Sequence, residues 1–313
     1  MNYKNLIFNY NKEVFGGTEC MAKNFHEKVL PYAKNFYKYN CLILPGQIED
    51  INSYIFDEKE IILWLHNTPD QFHPGINFIF YNKEFLEKIK YVVVVSEFAK
   101  TNLLLTTGID PSKVIVIYNA IDPVQNDIER FKNVEMVEIV HSSAQERGSF
   151  VLMLALKYCK EDFKLSIYNQ LNPDLQFFNN QFKDIAKDNR VYFYGRTSKK
   201  VLMKNLSQSH MYVYPSIFEE TFCLSQVEAL SANCLTIYND LGSLKEVSSG
   251  FGISYNGTVN AEKHAEQLAK LIDDNVKKIK ENTFNPKNQG VSINNKFSWN
   301  NFENSWLKFN ETI

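Results

Sequence analysis

The sequence predicts an α/β protein made of two doubly wound parallel sheets in tandem, and three observations carry that expectation. Short apolar runs alternate with helix-length amphipathic stretches along the 313 residues. The runs are β-branched and apolar on both faces, as in 61–65 (IILWL) and 92–95 (VVVV), which suits strands covered by helices on both sides. One polar stretch, 119–134 (NAIDPVQNDIERFKNV), carries Pro123 and no sustained periodicity, and it splits the series in two.

Within the first series, strands are expected at 6–9, 41–44, 61–65, 91–95 and 114–118, with helices at 18–29 and 97–106. Ser96 stands where a helix cap belongs, and Gly108 where a helix stops. The second series has strands at 137–141, 165–168, 191–194, 211–214, 235–237 and 252–255. Its helices are expected at 150–159, 199–207 (behind Ser198 as cap), 221–231 and 261–280. The Asn-rich stretch 282–296 reads as a loop, and 297–309 (FSWNNFENSWLKF) as an aromatic amphipathic helix that docks back on the body. The expected organisation is an N-terminal domain at 1–122, a hinge at 123–134, a second domain at 135–295 and a closing helix at 296–313. The two domains are expected to face a cleft, because ligands of such sheets bind outside the carboxyl ends of the strands.

Composition narrows the function classes. With 44% hydrophobic and 22% charged residues the chain can bury a real core. A net charge of -2, from 34 basic and 36 acidic residues, argues against broad electrostatic capture of nucleic acid. Apolar runs are strand-sized, whereas a membrane span needs about 20 residues, and the N-terminus lacks the build of a signal peptide. Five scattered cysteines form no CxxC pair and read as thiols, neither staples nor a zinc site. A cytoplasmic protein is expected, with peripheral contact with a membrane left open.

The most informative segment is 215–228, PSIFEETFCLSQVE. A strand ends at Pro215, a loop carries Glu219 and Glu220, and a helix is expected to begin near Thr221. Its unpaired amides would face the strand's carboxyl end, an anion site by geometry and dipole. Glu220 and Glu228, eight positions apart, then suit a ligand with phosphate and vicinal hydroxyls. On these residues alone a plainer reading stands beside it: a helix-start acid favoured by the dipole, and a solvated surface acid. Gly16 and Gly17 precede a helix, where they fit either close backbone approach to a ligand or a tight turn. His66 follows a strand and stands between a structural and a cleft-facing role; with His73 it shows no metal-ligand spacing. His141 at a later strand end is the weaker candidate. No D-x-D triplet, phosphate-binding GxxxxGK[ST] loop or GxSxG elbow occurs.

Taken in order, these segments resemble family 4 retaining glycosyltransferases across nearly the whole chain. The E-x₇-E block followed by LGSLKEV (241–247) resembles the donor-binding core. FGGTE (15–19) is similar to the Gly-rich turn after the first strand, and VVVVSEFAK (92–100) with VIVIYNAID (114–122) to the end of the N-terminal domain. HSSAQERG (141–148) is similar to the opening of the C-terminal domain, and SWNNFENSW (298–306) to the closing helix. The resemblance implies a GT-B fold and a metal-independent, retaining transfer from a nucleotide-sugar donor to a glycan or lipid-linked acceptor, with no cofactor. It places Glu220 against the donor sugar, Glu228 against the ribose, and the amides of Thr221, Phe222 and Cys223 near the donor phosphates. Cys223 stands where the family often has Gly. Arg147 takes the position of one cation of a diphosphate clamp, Ser142 replaces the other, and Arg196 is the candidate for the missing charge. His66 is implied to face the reacting sugar or acceptor. A nucleotide-sugar hydrolysing epimerase and a non-catalytic sugar-binding scaffold are the rival readings.

Overall fold

The computed structural model describes Phe8 and residues 16–44, 58–72, 78–125, 128–169 and 187–313. The chain divides into two compact units, Met1–Ala120 with Phe297–Ile313, and Ile121–Lys296. No helix among the described residues is long and apolar enough to cross a membrane.

The first unit holds a parallel sheet in the order β1-β2-β3-β4, formed by β1 (Asn40–Leu44), β2 (Ile61–Leu65), β3 (Ile89–Val94) and β4 (Val114–Val116). Every residue of β2 is buried, as a strand covered on both faces requires. The strand expected at 6–9 lies outside the described residues save for Phe8, whose amide donates to the Cys41 carbonyl at 3.1 Å. Helix α1 (Gly17–Asn24) gives way to a π-helical turn over Phe25–Val29, so the single helix expected at 18–29 is interrupted. Helix α2 spans Lys83–Lys88. Helix α3 (Glu97–Thr107) starts where the Ser96 hydroxyl accepts from the Ala99 amide at 3.0 Å and stops at Gly108, whose φ of 65° only glycine adopts without strain.

The closing helix Trp299–Thr312 belongs to this first unit. Trp306 is fully buried, with ring centroids 4.7 Å from Trp64, 4.8 Å from Phe25 and 5.5 Å from Phe8. Aromatic rings meeting edge to face add stabilisation beyond their area burial. Asn35 and Asn310 complete the seam: the Asn35 amide and side chain donate to the Asn310 side-chain and backbone oxygens at 3.0 and 2.8 Å.

The second unit holds a six-stranded parallel sheet: β5 (Val137–Ser142), β6 (Phe163–Tyr168), β7 (Val191–Phe193), β8 (Met211–Tyr214), β9 (Leu235–Asn239) and β10 (Ile253–Tyr255). Their order, β10-β9-β8-β5-β6-β7, means that the chain winds outward from β5 through β7 and then returns to β5's other side. Alternation along the strands supplies two cores. Val137, Ile139, Met211 and Val213 pack with Leu268, Ile272 and Val276, whereas Val140, Tyr212 and Tyr214 pack with Leu206 and Ala229. The helices are α4 (Ser149–Ala155), α5 (Lys199–Gln208), α6 (Leu224–Ser231), α7 (Leu244–Ser248), α8 (Ala261–Lys280) and α9 (Gln289–Lys296).

Three expectations change here. The stretch 123–134 is held within the second unit: the Val124 amide donates to Ser231 at 3.0 Å, Arg130 donates to the Ser209 carbonyl at 2.9 Å, and Phe131 is buried in the core. Helix α6 begins at Leu224 and not near Thr221, with Cys223 extended before it. Residues 289–296, expected as part of a loop, form α9 because Gln289 and Ile293 are buried; the Gln289 amide donates to the Leu230 and Cys234 carbonyls at 3.1 and 3.0 Å. Tertiary burial overrides the poor helix propensity of an Asn-rich stretch.

Candidate active site

The switch point of the second sheet lies between β5 and β8, where the chain leaves neighbouring strands in opposite directions. β5 ends at Ser142 and β8 at Tyr214, so the loops carrying Arg147 and Glu220 leave from adjacent strand ends. Gly148 lets them meet. Its φ is 91°, and a Cβ there would overlap the Pro215 carbonyl, so any other residue would push the two loops apart. Gly242, beyond β9, does the same from the other side. Its φ is 66°, and a Cβ would fall 2.5 Å from the Glu220 carbonyl oxygen. Ser243 then donates its amide to that oxygen at 2.7 Å. The loop after β9 therefore fixes the backbone of Glu220, and Gly148 fixes the start of the loop that carries it.

Its side chain is fixed as well. Arg147 Nη1 donates to Glu220 Oε1 at 2.6 Å, and the Tyr214 hydroxyl donates to the same oxygen at 2.7 Å. The Arg147 guanidinium also lies 3.5 Å from the centre of the Phe218 ring, a cation–π contact that flattens it against the loop. Burial and the neighbouring carboxylate lift the Tyr214 phenol well above its usual pKa, so it remains a donor at any physiological pH. Among the described residues no hydrogen bond reaches Glu220 Oε2.

Around this core lie buried polar atoms with no hydrogen-bond partner among the described residues: Ser142 Oγ, Arg147 Nε, Asn169 Nδ2 and Ser243 Oγ. Each belongs to a strand's carboxyl end or the loop that follows. An unpartnered buried polar group costs about 1–3 kcal/mol, so four at one sheet edge fit a surface prepared for a polar ligand. Thr221, Phe222 and Cys223 precede α6, whose first-turn amides supply the positive end of its dipole. Burial pushes the Cys223 thiol up to about 12, so its sulfur packs and is not a nucleophile.

Glu228 sits in the second turn of α6. It is 4% exposed, so it is not a solvated surface acid; Lys199, at the start of α5, donates to its Oε1. Burial raises its pKa and the nearby Asp122 adds to the rise, while Lys199 opposes both.

Ser142 closes β5, its carbonyl accepting from the Tyr212 hydroxyl at 2.9 Å. Arg196 is exposed beyond the edge strand β7, two strands from β5. His141 is structural: Nδ1 bonds the Val213 carbonyl at 2.8 Å and Nε2 the Ser149 hydroxyl at 2.9 Å, stitching β5 to β8. Burial lowers its pKa to about 4. In the first unit, His66 follows β2, is 8% exposed and lies 4.9 Å from Trp64, ring to ring. Burial lowers its pKa to about 3, which makes it a neutral imidazole. Gly16 and Gly17 open α1 with ordinary negative φ at Gly16 (-93°), so they act there as a helix start. His73 and Phe15 lie outside the described residues.

Tyr214, Lys199, Gly148 and Gly242 are site residues that sequence reasoning missed. The glycines carried a signal, since each follows a strand by a few residues. Tyr214 reads as one more apolar strand position, and Lys199 as a routine exposed lysine.

The chain matches the family model described as glycosyl transferases group 1 over residues 123–288, just over half its length, and it belongs to that family. Two curated proteins are similar to it. One is the O-antigen chain mannosyltransferase RfbU of Salmonella typhimurium, 24% identical over 209 residues, covering 65% of this chain and 59% of RfbU. The other is a phosphatidylinositol N-acetylglucosaminyltransferase polypeptide of Homo sapiens, 24% identical over 219 residues, covering 67% of this chain and 43% of that protein. The chain thus spans about half the length of the curated relatives it matches. Among solved structures, Anabaena Alr3699/HepE in complex with UDP and glucose superposes with a TM-score of 0.69 at 15% identity, covering 89% of this chain and 79% of HepE. That likeness is one of fold, and the fold is GT-B.

Proposed function

We propose that this chain is a retaining, metal-independent glycosyltransferase that moves a sugar from a nucleotide-sugar donor to a glycan or lipid-linked acceptor. The observation that carries it is the Arg147–Glu220–Tyr214 cluster at the switch point, beside the start of α6. Such a transfer must stabilise a diphosphate gaining negative charge while the sugar becomes oxocarbenium-like. Arg147 and the amides around Thr221, Phe222 and Cys223 suit the leaving group, because preorganised donors act most strongly where charge develops. Glu220, with Oε1 held by two donors, presents Oε2 to the sugar. Glu228 suits the two vicinal hydroxyls of a ribose. HepE, of the same fold, was solved with UDP and glucose, which makes a uridine nucleotide the first donor to try. Metal independence rests on the missing D-x-D triplet; a lipid-linked acceptor would bring peripheral contact with a membrane.

The test is transfer from UDP-, GDP- and ADP-sugars to a panel of glycan and lipid-linked acceptors, with the anomeric configuration read by NMR. Activity is expected to survive EDTA, and the product to keep the donor's configuration. An inverted product, or loss in EDTA restored by Mn²⁺, would refute the mechanism. Donor turnover without an acceptor would favour the epimerase.

A further inference from the structure

Glu228 has an unusual setting for an acid that is to accept hydrogen bonds from a diol. Its side chain is 5% exposed, whereas that of Lys199, its partner, is 57% exposed. Neither neighbour one turn away on α6, Leu224 or Ala232, is charged, so the counter-charge comes from another helix. Among the described residues Lys199 gives Glu228 its sole side-chain hydrogen bond, to Oε1, and Oε2 takes none.

We propose that Lys199 is a positioning residue for ribose recognition: its ammonium anchors Oε1 of Glu228 and keeps the carboxylate charged, so that Oε2 can accept from the ribose hydroxyls of a nucleoside diphosphate. This rests on the reading of Glu228 as the ribose acid. Lys199 of α5 lowers the carboxylate's proton affinity, Asp122 raises it, and Tyr212 of β8 is a further titratable neighbour. Burial outweighs the rest and favours the protonated form. Lys199 is the group that offsets it. A protonated carboxyl is a weaker acceptor than a carboxylate, whose charge-assisted bonds are about twice as strong as neutral ones.

Calorimetry with UDP, GDP and ADP, their 2′-deoxy forms and the bare nucleosides tests this on Lys199→Met, Lys199→Arg and Glu228→Gln. Lys199→Met is expected to weaken the preferred diphosphate roughly tenfold, equivalent to about 1.4 kcal/mol, and its nucleoside by the same factor. The loss should be larger at about pH 6 than at about pH 8, since burial without the ammonium favours the protonated carboxyl. Preference for ribose over deoxyribose should shrink in parallel, which a merely structural lysine would not cause. Lys199→Arg should restore binding, and Lys199→Met should add nothing to Glu228→Gln. Thermal melts of Lys199→Arg should match the parent, whereas those of Lys199→Met should fall further below it at about pH 8 than at about pH 6, because a buried carboxylate without its partner loses stability as it ionises. Unchanged affinity at both pH values, or loss confined to the diphosphates, overturns the proposal; the second outcome would make Lys199 a phosphate cation. If the parent binds no nucleoside diphosphate at all, the donor-site reading falls and the proposal with it. If the parent binds but Glu228→Gln is silent while Arg147→Ala is not, the donor site stands and the ribose role of Glu228 is lost.

Discussion

Glu220 and Glu228 lie eight residues apart, and each meets one basic side chain, yet the two pairs are built differently. The loop acid and its arginine are similarly sheltered, at 12% and 26% side-chain exposure, and a tyrosine and two glycine-bearing loops hold the acid as well. The helix acid is buried and its lysine open to water. Glu220 is controlled by orientation: its backbone and one carboxylate oxygen are fixed before any ligand arrives. Glu228 is controlled by charge, since burial and a single ammonium decide its protonation. An acid meant to meet a developing cation profits from the first arrangement. One meant to recognise a resting ribose can use the second.

The largest expected effect separates the two by kinetics. Glu220→Ala should lower kcat about 100- to 1000-fold, the scale for losing one preorganised group at a developing charge, while nucleotide affinity changes little. Glu228→Ala should do the reverse, weakening nucleoside diphosphate with a modest change in kcat. Equal losses in both parameters for both variants would erase the distinction.

Next comes Arg147→Ala, read by calorimetry. A charge-assisted hydrogen bond is worth about 1.5–3 kcal/mol, so diphosphate affinity should fall roughly 10- to 150-fold while the bare nucleoside is spared. Equal loss for nucleoside and diphosphate would show that Arg147 serves only to hold Glu220 and its loop. Arg196 would then be the next cation to replace.

The last effect concerns stability, and it sets the pH range in which the two acids can be compared. His66 and His141 are buried neutral, with pKa values lowered from 6.5 to about 3 and about 4. Below about pH 6.5 the unfolded chain takes up protons that the folded chain refuses, so stability falls as pH drops towards those values. At about pH 5 each imidazole should cost roughly 2 kcal/mol. Denaturant melts of the parent and of a His141→Asn variant would check this; a midpoint unchanged between about pH 7 and about pH 5 would mean that both imidazoles protonate in place.

The fold was largely legible because its signals are local. Runs such as 61–65 and 211–214 coincide with β2 and β8, and Ser96, Ser198 and Gly108 cap or stop the helices they were expected to. The misses are tertiary. Nothing in the Asn-rich composition of 289–296 shows that Gln289 will bond two carbonyls across the unit, and nothing near Lys199 shows that it will meet an acid 29 residues on. The candidate site was legible as residue types. Its pairing was not, since the Arg147–Glu220 contact spans 73 residues and depends on the strand order that makes β5 and β8 neighbours.

That Trp306 belongs to the first unit has a consequence for synthesis on the ribosome. Residues 121–296 are threaded between the parts of that unit, so the second unit can emerge whole and fold while the first still lacks Trp306, one of its largest core side chains. Domains made first usually fold first. Here the order is expected to reverse: the N-terminal sheet keeps Phe8, Phe25 and Trp64 unsealed until the helix carrying Trp306 has emerged. Burial of Trp306 against those rings is then expected to be a late step of folding.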